Sequence, residues 1–134
     1  MAEDLGLYLK QINFDKQYQK IIKKLKNKTV LIYGAGLLFE TIKSKYDLSK
    51  LNIIGISDGK YGPQDENQEF FGYKKYPTYL LPELKIDYVL VSTLNYLDII
   101  ESLEQNFFNK TKTHVRPLAK KPLLEVLKTI WGED

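Results

Sequence analysis

The sequence predicts an α/β domain in which helices cover both faces of a mostly parallel sheet, a three-layer α/β/α arrangement. Short apolar runs alternate with helix-like segments along most of the 134 residues, which is typical of parallel strands joined by right-handed crossovers. The first apolar run ends in Gly34-Ala35-Gly36, and the second ends in Asp58. A nucleotide-binding βαβ unit has this layout, with a strand, a glycine turn, a helix, a second strand and an acidic residue in order.

Residues 1–28 are predicted to form a helical extension that precedes a domain of residues 29–134. Apolar residues in this segment recur at helical spacing and make one stripe: Phe14, Tyr18, Ile21, Ile22 and Leu25. Lysines occupy much of the remaining surface. We expect the stripe to pack on the domain and the lysines to face water. The alternative is a basic surface for anionic lipid or nucleic acid.

The strands and helices of the domain are predicted from composition and spacing. Continuous apolar runs predict buried strands at residues 30–33, 51–57 and 87–92, and weaker patterns predict extended segments at 71–76 and 112–116. Helical patterns cover residues 36–46, 95–107 and 117–131, with one helical turn at 78–84. The last of these helices begins afresh near Pro122, and residues 58–70 form a polar surface loop.

Parallel strands connected in this way predict the strand order 3-2-1-4-5, or a truncation of it. Ligands of such sheets bind outside the carboxyl ends of the strands, where the strand order reverses. The cleft that matters therefore lies after the first strand and after the strand at residues 87–92.

The glycine turn has the chemistry of a phosphate site. Gly34 supplies the backbone freedom of a tight turn, and Gly36 has no Cβ to keep a phosphate away from the backbone. The amides of Leu37 and Leu38 open the following helix and would point at the anion. The third glycine of the usual fingerprint is replaced by Phe39, so the helix either stands further from the sheet or is rotated.

Asp58 occupies the place of an acid that binds ribose hydroxyls, because it follows the second strand of the unit. Its charge would repel a 2′-phosphate, which favours NAD over NADP. The alternative is a plain turn made by Asp58 and Gly59. Lys60 follows and could approach a phosphate.

Polar side chains also follow the strand at residues 87–92. Ser92, Thr93 and Asn95 lie there at the mouth of the expected cleft, where they would hold the ribose, base or sugar of a ligand, or simply cap the next helix. Tyr96 and His114 are the candidates for a general acid or base.

Composition removes several classes of function. The absence of cysteine excludes disulfides and thiolate metal sites, and a single histidine excludes a His-rich metal site, so no metal is expected. Arg116 is the one arginine among 20 Lys and Arg residues, which argues against nucleic-acid recognition. No run of 18 apolar residues and no signal-peptide pattern occurs, so we expect a cytoplasmic protein without a membrane span.

The order of these motifs resembles a known group of domains. Five motifs follow one another between about residues 28 and 118, in the order VLIYGAG, IIGISD, FFGYKKYP, an L-P-E-L turn and DYVLVST. The chain is similar to the small Rossmann-like nucleotide- or CoA-binding domains of bacterial surface-polysaccharide proteins, which modify nucleotide sugars. The resemblance implies that Gly34, Ala35, Gly36 and Asp58 face the ligand, which would be NAD or another nucleotide.

The resemblance implies a binding module of bacterial glycan or nucleotide-sugar biosynthesis without complete catalytic machinery of its own. Its ligand would be a nucleotide-containing small molecule, and it would dock to a glycan-biosynthesis enzyme or form a homodimer. One alternative is a small NAD-dependent sugar oxidoreductase or epimerase subunit. Another is a degenerate domain kept for dimerisation, in which Phe39 and the aromatic run of residues 70–79 are packing elements.

Overall fold

The computed structural model describes residues 2–122, and within this range the chain forms an α/β domain around one mixed, mostly parallel sheet. The sheet has six strands in the order β3-β4-β2-β1-β5-β6. Their bounds are β1 Thr29–Tyr33, β2 Asn52–Ser57, β3 Glu69–Phe70, β4 Tyr73–Tyr76, β5 Tyr88–Val91 and β6 His114–Pro117. The five strands β4, β2, β1, β5 and β6 run parallel to one another, and their order confirms the predicted one. The added edge strand, β3, pairs antiparallel to β4.

Two hydrophobic clusters lie on the two faces of the sheet. The helices are α1 Ala2–Gln11, α2 Phe14–Lys24, α3 Leu37–Lys45 and α4 Tyr96–Asn106. Val30 and Ile32 of β1 belong to a cluster with residues of α1, α2 and α3. Leu31 points the other way and packs with residues of α4 and of the 3₁₀ segment Thr78–Glu83. Alternate side chains of β1 therefore enter opposite cores, as expected of a strand covered on both faces.

The N-terminal segment is part of the first core. The predicted apolar stripe is confirmed, because Phe14, Tyr18 and Leu25 are buried in the same cluster as Val30. The segment consists of two helices rather than one continuous helix, and Asn13 between them has a left-handed backbone with φ 56°.

Two predicted elements differ from the structure. The predicted helix at residues 117–131 is wrong at its start, because Pro117 ends β6 and the amide of Leu118 donates to the carbonyl of Val91. That bond continues the sheet pairing, so the backbone cannot coil there. The rest of the helix, from residue 123 on, lies outside the described residues. The extended segment at 71–76 is a strand only from Tyr73, because Phe71 and Gly72 both have positive φ and form the hairpin turn to β3.

Among residues 2–122, no helix is long and apolar enough to cross a membrane.

Candidate functional site at the glycine turn

The glycine turn lies at the carboxyl edge of the parallel strands, between β1 and α3. Its first amide, that of Gly34, donates to the carbonyl of Ser57 at 2.8 Å, so the turn begins as an extension of the β1–β2 ladder. On the other side, the amide of Ser92 donates to the carbonyl of Tyr33 at 2.8 Å. The turn is thus held between the ends of β2 and β5, at the point where the strand order reverses.

Gly34 occupies a conformation and a space that only glycine fits. Its φ is +114°, and a Cβ there would lie 2.9 Å from the Oγ of Ser92 and 3.0 Å from its carbonyl oxygen. The tight-turn role predicted for Gly34 agrees with this geometry.

Ser92 holds this turn from the neighbouring strand. Its hydroxyl is buried and lies 2.7 Å from the carbonyl oxygen of Gly34 and 3.2 Å from that of Tyr33. The sequence predicts Ser92 either as a ligand contact or as part of a helix cap, and in the structure its hydroxyl donates to the turn.

Asp58 and Lys60 bind the middle of the turn from the loop after β2. The Oδ2 atom of Asp58 accepts the amide of Ala35 at 2.7 Å, and its Oδ1 atom accepts the amide of Lys60 at 3.0 Å. The ammonium of Lys60 donates to the carbonyl of Ala35 at 2.9 Å. Both polar groups of the Ala35 peptide are therefore taken by the protein, and Asp58 keeps lone pairs for further donors, since a carboxylate has about four.

The next residue, Gly36, is the open part of the turn. It is exposed, has an extended backbone, and a Cβ built on it would meet nothing within 4 Å. Gly36 caps α3, whose first amides have no acceptor one turn earlier. The amides of Leu37 and Leu38 therefore belong to the first turn of α3, next to the exposed Gly36 and at the positive end of the helix dipole.

Phe39 is rotated away from this opening. Its side chain is 0% exposed, and its ring centroid lies 6.2 Å from that of Phe70 and 6.0 Å from that of Tyr73. Of the two arrangements that the sequence left open, these contacts agree with the one in which Phe39 points away from the turn. The ring packs toward the β3–β4 hairpin and does not occupy the space around Gly36.

Three further polar residues lie at or just after the strand ends near the turn, two of them predicted (Thr93 and Asn95) and one not (Ser57). Asn95 is the N-cap residue of α4, is exposed, and makes no side-chain capping bond. The hydroxyls of Thr93 and Ser57 are buried, and neither has a hydrogen-bond partner among the described residues. A buried hydroxyl without a partner is costly and calls for an explanation.

Two tyrosines beside Asp58 have altered acidity. Burial, and then the negative charge of Asp58, raise the pKa of Tyr33, although a hydrogen bond with the backbone of Gly59 opposes the shift. Burial, with the charges of Asp58 and Asp65, raises the pKa of Tyr61 to about 12. Both phenols stay protonated at neutral pH, so neither serves as a general base there.

The structure does not bring the two acid–base candidates into the opening at Gly36. His114 begins β6 at the amino edge of the sheet, opposite the turn, and stacks on Tyr88 with ring centroids 4.8 Å apart. Tyr96 is buried at the start of α4, and its hydroxyl accepts the amide of Lys121 at 2.9 Å.

Sequence reasoning missed Ser57 and Tyr61 at this site. A signal for Ser57 was available, because it is a small polar residue that ends an apolar strand directly before Asp58. Tyr61 carried no comparable signal, since it lies in a polar loop and becomes buried only through the tertiary fold.

No protein-family model matches this chain, and no curated protein matches it. The geometry of the turn is therefore the basis for the function.

Proposed function

We propose that this protein is a Rossmann-like module that binds a nucleotide-containing ligand through its phosphate at the glycine turn. The observation that carries the proposal is the open space around Gly36 at the N-terminus of α3. Backbone amides and a helix dipole at such a position favour an anion. The ammonium of Lys60, fixed 2.9 Å from the carbonyl oxygen of Ala35, adds a positive charge beside the same opening.

The rest of the ligand would extend toward the loop after β2. Asp58 uses one bond on each oxygen to fix the turn, which leaves lone pairs for ribose hydroxyls. Its carboxylate repels a 2′-phosphate, so NAD is favoured over NADP. The buried hydroxyls of Ser57 and Thr93 are further donors near the turn that lack protein partners among the described residues.

The ligand and its pathway follow from the resemblance described above. A cytoplasmic module of bacterial glycan or nucleotide-sugar biosynthesis would meet nucleotide sugars, NAD or CoA. It would present its ligand to, or dock on, a separate enzyme of that pathway, since neither Tyr96 nor His114 faces the opening at Gly36.

A binding experiment tests the proposal directly. Thermal-shift and calorimetric titrations would compare NAD, NADP, CoA, S-adenosylmethionine and UDP-sugars at up to millimolar concentration. We expect at least one nucleotide to bind, and NAD to bind more tightly than NADP. Binding should weaken about tenfold in Lys60→Gln, because one charge-assisted contact is lost. The matched control is Lys50→Gln, which removes an exposed lysine at the amino edge of the sheet and should leave the affinity unchanged.

A second variant tests whether the opening itself is the site. Gly36→Val fills the space around Gly36 and should abolish binding, while the free energy of unfolding changes by less than about 1 kcal/mol because the backbone there suits any residue. The small-molecule proposal fails if none of the five ligand classes binds, or if Gly36→Val and Lys60→Gln bind as the unaltered protein does.

One observation favours self-association as a second candidate function. Phe71 at the tip of the β3–β4 hairpin is 53% exposed and has a φ of 51°, a conformation that an aromatic residue rarely adopts. Aromatic residues are enriched at protein interfaces, so this exposed ring is the part of the hairpin that a second copy would contact. Light scattering of the unaltered protein and of Phe71→Asn would test it, and a concentration-independent monomer in both would eliminate it.

A further inference from the structure

A second concave region lies on the α2 side of the sheet. A groove with a volume of about 540 Å³ runs between α2 and the strands β5 and β6. Its floor is apolar and includes Ile12, Ile21, Leu25 and Leu90. No residue of the glycine turn lines it among the described residues, so it is independent of the nucleotide site proposed above.

The rim of this groove is strongly cationic. Six basic side chains line it: Lys16, Lys20, Lys24, Arg116, Lys120 and Lys121. Within residues 2–122 its lining contains no aspartate or glutamate. An apolar floor below a ring of positive charge is complementary to an occupant that is apolar on one side and acidic on the other.

The chain itself leads into the groove. After β6, the backbone of Lys120 is fixed to α2 by two hydrogen bonds with the side chain of Gln17, each 2.9 Å long. Leu118 and Ala119 are buried in the same core as α2. Pro122, where the described range ends, lines the groove.

The sequence beyond Pro122 is complementary to the groove, because it is apolar at helical spacing and contains acidic residues. Residues 123–134 lie outside the described residues, and their sequence is LLEVLKTIWGED. The apolar residues recur at helical spacing: Leu123, Leu124, Val126, Leu127, Ile130 and Trp131. Three acids, Glu125, Glu133 and Asp134, outnumber the single Lys128.

We propose that the groove is the docking site of residues 123–134 of the same chain, with the apolar stripe of residues 123–131 on the floor and the acidic groups near the lysine rim. A segment that is covalently attached at the edge of its site binds at a high effective concentration, so it outcompetes a separate molecule of similar chemistry. Docking also removes from water an apolar floor that the described residues leave open to one side.

Trp131 makes this testable, because it is the only tryptophan of the protein. Its emission and its quenching by neutral acrylamide report on the segment alone. We expect blue-shifted emission and low quenching in the native full-length chain, and both should move to the values of the denatured chain in urea. Leu127→Asp should expose Trp131 while the tyrosine-detected unfolding midpoint shows that the domain is still folded. The control is Thr129→Asp, at a polar position of the same segment, which should leave Trp131 protected.

A matched pair of double variants identifies the groove as the place of docking. Lys20→Glu with Lys24→Glu reverses two rim charges and should shift the docking equilibrium at least roughly tenfold toward the exposed state. Lys23→Glu with Lys26→Glu makes the same change in net charge at two exposed positions outside the groove, and should leave the quenching as it is.

Three results would overturn the proposal. The first is a native Trp131 that is quenched as freely as in urea. The second is equal quenching in the two double variants. The third is protection of Trp131 that disappears on dilution, which would place the segment on a second copy of the chain.

Discussion

The glycine turn and the cationic groove differ in how many of their groups have partners among the described residues. At the turn, both polar groups of Ala35 are hydrogen-bonded, and a Cβ on Gly34 would lie only 2.9 Å from the hydroxyl oxygen of Ser92. In the groove, an apolar floor and six cations face a volume of about 540 Å³. The turn is a rigid frame with one small opening at Gly36, suited to a phosphate. The groove is a broad complementary surface, suited to a chain segment.

The largest effect is expected where the turn's helix is anchored. Phe39→Ala removes a fully buried ring that packs on Phe70 and Tyr73, and should lower the free energy of unfolding by about 3–5 kcal/mol. Leu37→Ala is the control on the same helix, because Leu37 is 49% exposed and its loss should cost less than about 1 kcal/mol. Urea unfolding followed by circular dichroism measures both. A similar cost in the two variants would mean that Phe39 does not anchor α3.

The next largest effect on stability is expected from substitutions at the two glycines of the turn, the enclosed Gly34 and the open Gly36. Gly34→Ala forces a residue with a Cβ into a φ of +114° and against Ser92, and should cost about 2–4 kcal/mol. Gly36→Ala places the same methyl group in open space and should cost less than about 1 kcal/mol. Equal unfolding midpoints for the two variants would contradict the difference between a frame at Gly34 and an opening at Gly36.

These contrasts explain how much could be predicted from the sequence. The strand order and the glycine turn were predictable, because continuous apolar runs and neighbouring glycines are local patterns. The position of Phe39 was left open between two arrangements, since its choice depends on Phe70 and Tyr73, which lie some thirty residues further along. The groove was not predicted at all. It joins residues of α2, β5 and the segment after β6, and only the tertiary fold brings these together.

The same difference between local patterns and tertiary contacts applies to the site residues. The sequence placed Asp58 near the turn correctly, because the acid after the second strand is part of a local motif. The sequence could not show that Asp58 accepts the amide of Ala35, or that the hydroxyl of Ser92 donates to the carbonyl of Gly34. Those contacts depend on the distance between strand ends, which no sequence spacing encodes.

A moderate effect is expected at the contact that closes the turn from β5. Ser92→Ala removes a buried hydroxyl that donates to the carbonyl of Gly34, and should lower the free energy of unfolding by about 1–2 kcal/mol. Ser102→Ala is the control, because Ser102 is exposed on α4 and its loss should stay within about 0.5 kcal/mol. If Ser92→Ala were as stable as the control, the turn would be held by its backbone bonds alone.

The smallest effect at neutral pH separates two buried tyrosines, one near the turn and one on α2. The hydroxyl of Tyr61 is buried and has no partner among the described residues, so Tyr61→Phe should leave the stability unchanged or raise it by up to about 1 kcal/mol. The hydroxyl of Tyr18 donates to the carbonyl of Asp47 at 2.7 Å, so Tyr18→Phe should cost about 1 kcal/mol.

At alkaline pH the two variants are expected to behave alike. Burial first, and then nearby carboxylates, raise the pKa of each phenol to about 12, above the ordinary value of 10.0. Because the folded pKa is raised, the stability that each neutral phenol provides is complete below pH 10 and is lost as the pH rises toward 12. Both variants should therefore lose less stability than the unaltered protein over that range, although only Tyr18→Phe is weakened at neutral pH. Urea midpoints at neutral and alkaline pH measure the difference. An equal alkaline loss in Tyr61→Phe and in the unaltered protein would show that the Tyr61 phenol ionises as freely in the folded chain as in the unfolded one.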